Sequence, residues 1–139
     1  MLRIKGTLIV FDKPDLIGHM FPKDCEITNP NNVPILALDS DPISNTKQVG
    51  DATNFIRSDH CITFDGYING KDEDTYKQLL KDPGLYCGGF YRRVKSHGEN
   101  VLEVISSMEL CSIGLYLGDV FGDGSLRLEV VENERKTES

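Results

Sequence analysis

The sequence predicts a mainly β domain, α+β by class: a small antiparallel β-barrel or strongly bent sheet with one or two short helices. Three observations predict it. Short runs rich in β-branched and aromatic residues recur along most of the chain. Clusters of Gly, Pro, Asn and Asp punctuate them at short intervals. Only one segment, 73–81, carries a clear helical period.

The elements follow in order. Residues 6–11, Gly-Thr-Leu-Ile-Val-Phe, suit a buried strand, and Asp12-Lys13-Pro14-Asp15 breaks it. The stretch 17–34 holds Pro22, Pro30 and Pro34, so it reads as an ordered loop with room for one short helix. Residues 33–38 form a second apolar strand, with Pro34 near its start where a ladder donor is dispensable. Segments 46–57 and 60–67 form a hairpin turned by Ser58-Asp59. Within it Ile62 and Phe64 share one face, while Thr63 and Asp65 take the other.

The helix at 73–81 starts in the acidic cluster Asp72-Glu73-Asp74, which suits the positive end of a helix dipole; Asp72 or Asp74 is the expected cap. Tyr76, Leu79 and Leu80 make its apolar face, and Pro83-Gly84 forbids its continuation. Strands 85–95 and 101–110 are joined by a loop at 96–100, and 111–117 extends the second strand after a bend. Gly118, Gly122 and Gly124 mark a loop before a last, half-buried strand with Leu126, Leu128 and Val130 on one face. Six to eight strands result, mostly antiparallel. Residues 1–131 are read as a single domain and 132–139 as a polar tail.

Composition narrows the function. A net charge of -7 opposes binding to phosphate backbones, and the densest basic group, Arg92-Arg93-Val94-Lys95, is short. Nucleic acid and anionic membranes are therefore not expected partners. No apolar run approaches the length of a membrane-crossing helix, and the first residues lack a signal peptide's apolar core, so synthesis and retention in a cytoplasm are expected. Four cysteines, Cys25, Cys61, Cys87 and Cys111, stand without a Cys-x-x-Cys pair. Neither metal nor cofactor is expected, and Cys25, Cys61 and Cys111 read as reduced, buried apolar groups.

The order of the motifs resembles the prohead (capsid maturation) proteases of tailed phages, relatives of the herpesvirus assemblins. Val10-Phe11-Asp12-Lys13-Pro14-Asp15 is similar to an opening phrase of that family. Val33-Pro34-Ile35-Leu36-Ala37-Leu38-Asp39-Ser40 stands where members carry "Val-Pro-Leu-Leu-x-x-His-Asp". Leu85-Tyr86-Cys87-Gly88-Gly89-Phe90 resembles "Gly-Leu-Ser-Ile-Gly-Phe", and Met108-Glu109-Leu110-Cys111-Ser112 resembles "Leu-x-Glu-Val-Ser-Leu". The likeness spans most of the chain, from Ile4 to about Leu117. It implies that Asp39 occupies the general-base position, Cys87 the nucleophile position, and Glu109 that of an acid orienting the base.

Cysteine can replace serine, but aspartate cannot replace histidine here. A thiol attacks as its thiolate, and a neighbouring carboxylate disfavours that second negative charge. If Asp39 and Glu109 flank Cys87, its thiol is less reactive than a free one. The remaining histidines are His19 in the irregular loop, His60 at a turn, and His97. An extended strand puts His97 about 30 Å from Cys87, and only His19 is left as a substitute base. Gly88-Gly89 fits either an oxyanion site or a strand bulge.

The expectation is a degenerate, non-catalytic protease-like domain: an auxiliary or decoration protein on the capsid surface, made in the host cytoplasm. Its expected partners are the major capsid protein or other virion proteins, with a homo-oligomer as a further arrangement. Tyr91, Tyr116 and Phe121 are candidate aromatic anchors for that contact. The alternative is an active maturation endopeptidase with Cys87 as nucleophile. A third reading, a small-molecule-binding barrel, requires an apolar pocket with convergent polar groups.

Overall fold

The computed structural model describes residues 1–28, 32–37, 47–119, 122 and 124–131. With 59% of the described residues in strands and 10% in helix the structure is mainly β, and its sheet curls strongly into a half-barrel. Nine strands are present among the described residues: β1 (Leu2–Val10), β2 (His19–Met20), β3 (Glu26–Thr28), β4 (Val33–Leu36), β5 (Gln48–Arg57), β6 (Cys61–Ile68), β7 (Tyr86–Glu99), β8 (Leu102–Tyr116) and β9 (Glu129–Val130). A single 3-10 turn (Gly70–Asp72) leads into helix α1 (Glu73–Lys81).

The long strand β8 organises the sheet. On one side it pairs antiparallel with β7 along almost its whole length. On the other side three short strands lie parallel to it, one after another: β2 at Glu103–Val104, β3 at Ser107–Glu109 and β4 at Ile113–Gly114. From β4 the sheet continues antiparallel through β5, β6 and β1 to β9.

The outer strands β7 and β1 come together at one end, where the segment 126–131 joins them. Cys87 N–H donates to the Leu126 carbonyl at 3.0 Å, and Leu128 N–H donates to that of Leu85 at 2.8 Å. On the other side Ile4 stands opposite Val130, and Val131 N–H donates to the Arg3 carbonyl at 2.9 Å. Leu126 and Leu128 are buried beneath this staple. Past Cys87 the staple ends, and a cleft lies between the two strands.

Alternation explains which side chains form the core. In β6, Ile62, Phe64 and Ile68 are buried while Thr63, Asp65 and Tyr67 stay partly exposed. β1 breaks the rule at Leu8 and Ile9, both buried, because its register against β6 slips between Thr7 and Ile9. That bulge turns two successive side chains inward and bends the strand. β5 and β6 approach so closely at Gly50 that a Cβ there would stand 1.9 Å from the Tyr67 carbonyl oxygen. In α1, Tyr76 and Leu80 are buried and Leu79 packs partly against the core. Each fully buried large side chain contributes roughly 1.5–3 kcal/mol.

Several expectations need correction. Nine strands stand among the described residues where six to eight were expected; most pairings are antiparallel, as expected, and three are parallel. The loop anticipated at 96–100 shrinks to Asn100 and Val101, since Asn100 adopts a left-handed backbone (φ 57) that turns β7 tightly into β8. The described part of 17–34 contains no helix but the short strands β2 and β3. Their two- and three-residue pairings depend on β8 and leave no period to read. Asp72 makes no side-chain cap to α1, so its contribution there is charge near the helix start. Leu38, Thr46, Asp39, Phe121 and the tail 132–139 lie outside the described residues.

Candidate functional site

Cys87 sits where β7, β1 and the closing segment meet. Its side chain is fully buried, and its Sγ donates to the Thr7 carbonyl at 3.3 Å and to the Leu126 carbonyl at 3.4 Å. Burial alone pushes this thiol up to about 12. The ionised form would lose solvation with no positive charge in compensation. Two backbone carbonyls hold the proton that a nucleophile must give up.

The expected neighbours are not assembled around it. Glu109 stands opposite Arg92 in the β7–β8 ladder, and Arg92 Nε reaches its Oε1 at 3.4 Å. Cys87 instead pairs with Leu115, six residues further along β8, about 20 Å of strand. The anticipated flanking by Glu109 is therefore corrected: burial, not a carboxylate, suppresses the thiolate. Asp39 lies outside the described residues. His97 ends far along β7 beside Glu99, and His60 is exposed at its turn. Among the described residues no imidazole contacts the Cys87 sulfur.

The other cysteines divide. Cys25 is buried, its thiol pushed up to about 11, chiefly by burial. Cys61 is only partly buried and Cys111 is exposed, which corrects the expectation that both are core groups. Alternation along β8 explains Cys111, since Leu110 takes the inward position beside it.

A second cluster lies four residues further along β7. It begins in the turn after β1. Asp15 Oδ1 accepts from the backbone N–H of Ile17 (3.0 Å) and of His19 (2.9 Å), and Gly18 takes a left-handed conformation (φ 85). This clamp delivers His19 onto β8 opposite Glu103. The His19 Nδ1 then lies 2.5 Å from the Tyr91 hydroxyl, and its Nε2 lies 3.0 Å from an Arg93 terminal nitrogen. Arg93 also ion-pairs with Glu103 and lies over the Tyr91 ring, 5.7 Å from its centroid. That guanidinium holds the Glu103 carboxyl below the usual carboxylate range.

Phe21 packs edge-on against Tyr91 at 5.3 Å, and burial pushes the phenol up to about 12. Tyr91 is thus turned inward; Tyr116, at the end of β8, is the more exposed of the anticipated anchors that the structure describes.

Asp15, His19, Tyr91 and Arg93 border a cleft of about 270 Å³ between β1 and β7. Leu8, Phe21, Met108, Leu110 and Leu126 form apolar walls, and Gly88 and Gly89 lie among its lining. Sequence reasoning kept His19 only as a spare base and missed its partners. Tyr91, Arg93 and Glu103 form no motif with it, because pairings distant in sequence assemble them.

Among the described residues no group of three or more His, Cys, Asp or Glu is placed to hold a metal ion, and no helix is long and apolar enough to cross a membrane. Compared with known protein families, curated proteins and solved structures, the chain matches none.

Proposed function

We propose that this chain is a non-catalytic, phage capsid-associated protein, an auxiliary or decoration subunit that uses a prohead-protease-like half-barrel to bind the capsid shell. One observation carries the non-catalytic half of the reading. The position matching the family's nucleophile holds a thiol that is fully buried and bonded to the carbonyls of Thr7 and Leu126. A strongly bent, mainly β sheet is compatible with the resembled fold, and the order of the four sequence phrases supports the capsid setting. Fold alone does not assign function, so the capsid partner rests on those phrases. At the end of β8 the exposed Tyr116 and Leu117 offer apolar area for such a contact.

The competing reading, a maturation endopeptidase using Cys87, needs a thiolate within reach of a substrate carbonyl and a base beside it. The sealed environment of Cys87 opposes both requirements. The test is composition of purified mature virions by quantitative mass spectrometry. The reading expects many intact copies per capsid and unchanged capsid-protein processing in a Cys87→Ala background. Absence from virions overturns it, and loss of processing in a folded Cys87→Ala chain restores the peptidase.

A further inference from the structure

We propose that a second, apolar cavity, inside the half-barrel beneath Arg57, binds a small organic carboxylate with a compact apolar body. The inference goes beyond the capsid reading and does not rest on it. The cavity holds about 150 Å³ and is walled by Leu8, Ile9, Ile27, Phe55, Ile62 and Leu110; Arg57 is its one polar lining residue. An apolar cavity of that order is large enough for a benzene-sized body. Register explains how a cation comes to stand there. Ile9 stands opposite Ile62 in the β1–β6 ladder, and Ile62 stands opposite Arg57 in the β5–β6 ladder. Directly opposite residues share a face of the sheet, so Arg57 takes an inward position in line with two buried isoleucines. Phe55, two residues earlier, stands opposite the buried Phe64 on that same face.

The guanidinium is held in place but not neutralised. Its Nη2 donates to the Lys23 carbonyl at 2.7 Å, and its Cζ lies over the Phe11 ring, 4.8 Å from the centroid. Among the described residues no carboxylate forms an ion pair with it. Asp59 pairs with Lys23, and Asp24 and Glu26, on either side of Cys25, stay beyond ion-pair distance. A guanidinium carries five N–H donors in one plane and keeps its charge. One of them bonds the Lys23 carbonyl, and the others meet no acceptor among the described residues. A carboxylate matches such a fork with two parallel bonds and supplies the missing charge. A neutral amide brings an acceptor without the charge, and an ammonium brings neither. The stack on Phe11 and the bond to Lys23 orient the plane before a ligand arrives, which lowers the ordering cost of binding. The apolar body then leaves water against Ile27 and Phe55, both only partly buried in the free chain.

The experiment uses the full chain and four probes. Benzoate, benzamide and benzylamine share one body, and acetate carries the carboxylate with almost none. Each is titrated at neutral pH while backbone amide resonances are followed by NMR. The expected result is saturable shifts at Ile27, Phe55, Arg57 and Ile62 with benzoate, and binding at least about tenfold weaker for the other three probes. Arg57→Gln should weaken benzoate about tenfold, to the level of benzamide, and leave benzamide unchanged. An arginine that only ties Phe11 to Lys23 would not carry that discrimination. Ile27→Phe, which fills the cavity from a partly buried position, should weaken benzoate and benzamide alike. Absence of saturable shifts with benzoate overturns the proposal, as does equally tight binding of the amide, the amine or acetate. So does a preference for benzoate over benzamide that persists in Arg57→Gln, or undiminished binding in Ile27→Phe. Shifts confined to Gly88, Gly89 and Tyr91 would place the ligand in the cleft between β1 and β7 and overturn it too.

Discussion

The two halves of the β1–β7 seam differ although one strand serves both. In the stapled half, around Cys87, backbone donors and acceptors satisfy one another through the segment 126–131, and the side chains beneath are apolar and buried. In the open half, from Gly88 to Arg93, the closing segment is missing, and side-chain groups from β2, β7 and β8 fill the role. Polar chemistry collects where the backbone ladder stops. The position singled out by the family-like phrase therefore falls in the inert half, and the reactive-looking groups lie beside it.

The largest effect expected from breaking this contrast is in the stapled half. Leu128→Ala empties a buried site under the closing segment and should cost about 2–5 kcal/mol. Urea denaturation measures it, and a loss under 1 kcal/mol would show that the segment does not hold the seam.

A pH dependence comes next. The Cys87 and Cys25 thiols titrate higher when folded, at about 12 and about 11, than their ordinary value of 9.0. Between those values the unfolded chain has released protons that the folded chain keeps, so folding stability falls as pH rises above about 9. It is fully present below that pH. A Cys87→Ala chain should lose stability less steeply over this range than the parent, in denaturant midpoints measured from pH 8 to 11. Parallel slopes would contradict the assignment.

In the open half the same class of change should cost less. Tyr91→Phe removes one hydrogen bond to His19 and keeps the packing against Phe21, so about 0.5–1.5 kcal/mol is expected by urea denaturation. Smallest is Glu109→Gln. Its exposed pair with Arg92 should contribute no more than about 1 kcal/mol, and less at high salt. A salt-insensitive loss of several kcal/mol would instead make Glu109 part of a built site.

Local signals made much of the fold legible. The β5–β6 hairpin, the limits of α1, the alternation in β6 and the bent, mainly β architecture all follow from neighbours in sequence. β2 and β3 were not legible, because two or three residues gain strand geometry only from β8. The closing segment was half legible: Leu126 and Leu128 revealed an inward face, but not that it would staple β7 to β1. For the site, the phrase around Cys87 pointed to a position and not to its surroundings. His19, Tyr91, Arg93 and Glu103 carried no shared spacing, since a clamped turn and a curled hairpin bring them together.

Thiol accessibility in the folded chain bears most directly on whether the seam seals its sulfur. Native protein is treated briefly with iodoacetamide, and each cysteine's labelling rate is read by peptide mass spectrometry. Cys111 should label first and Cys61 more slowly, while Cys87 stays unlabelled until denaturant is added. Labelling of Cys87 in the folded state as fast as Cys111 would contradict a sealed, non-nucleophilic thiol.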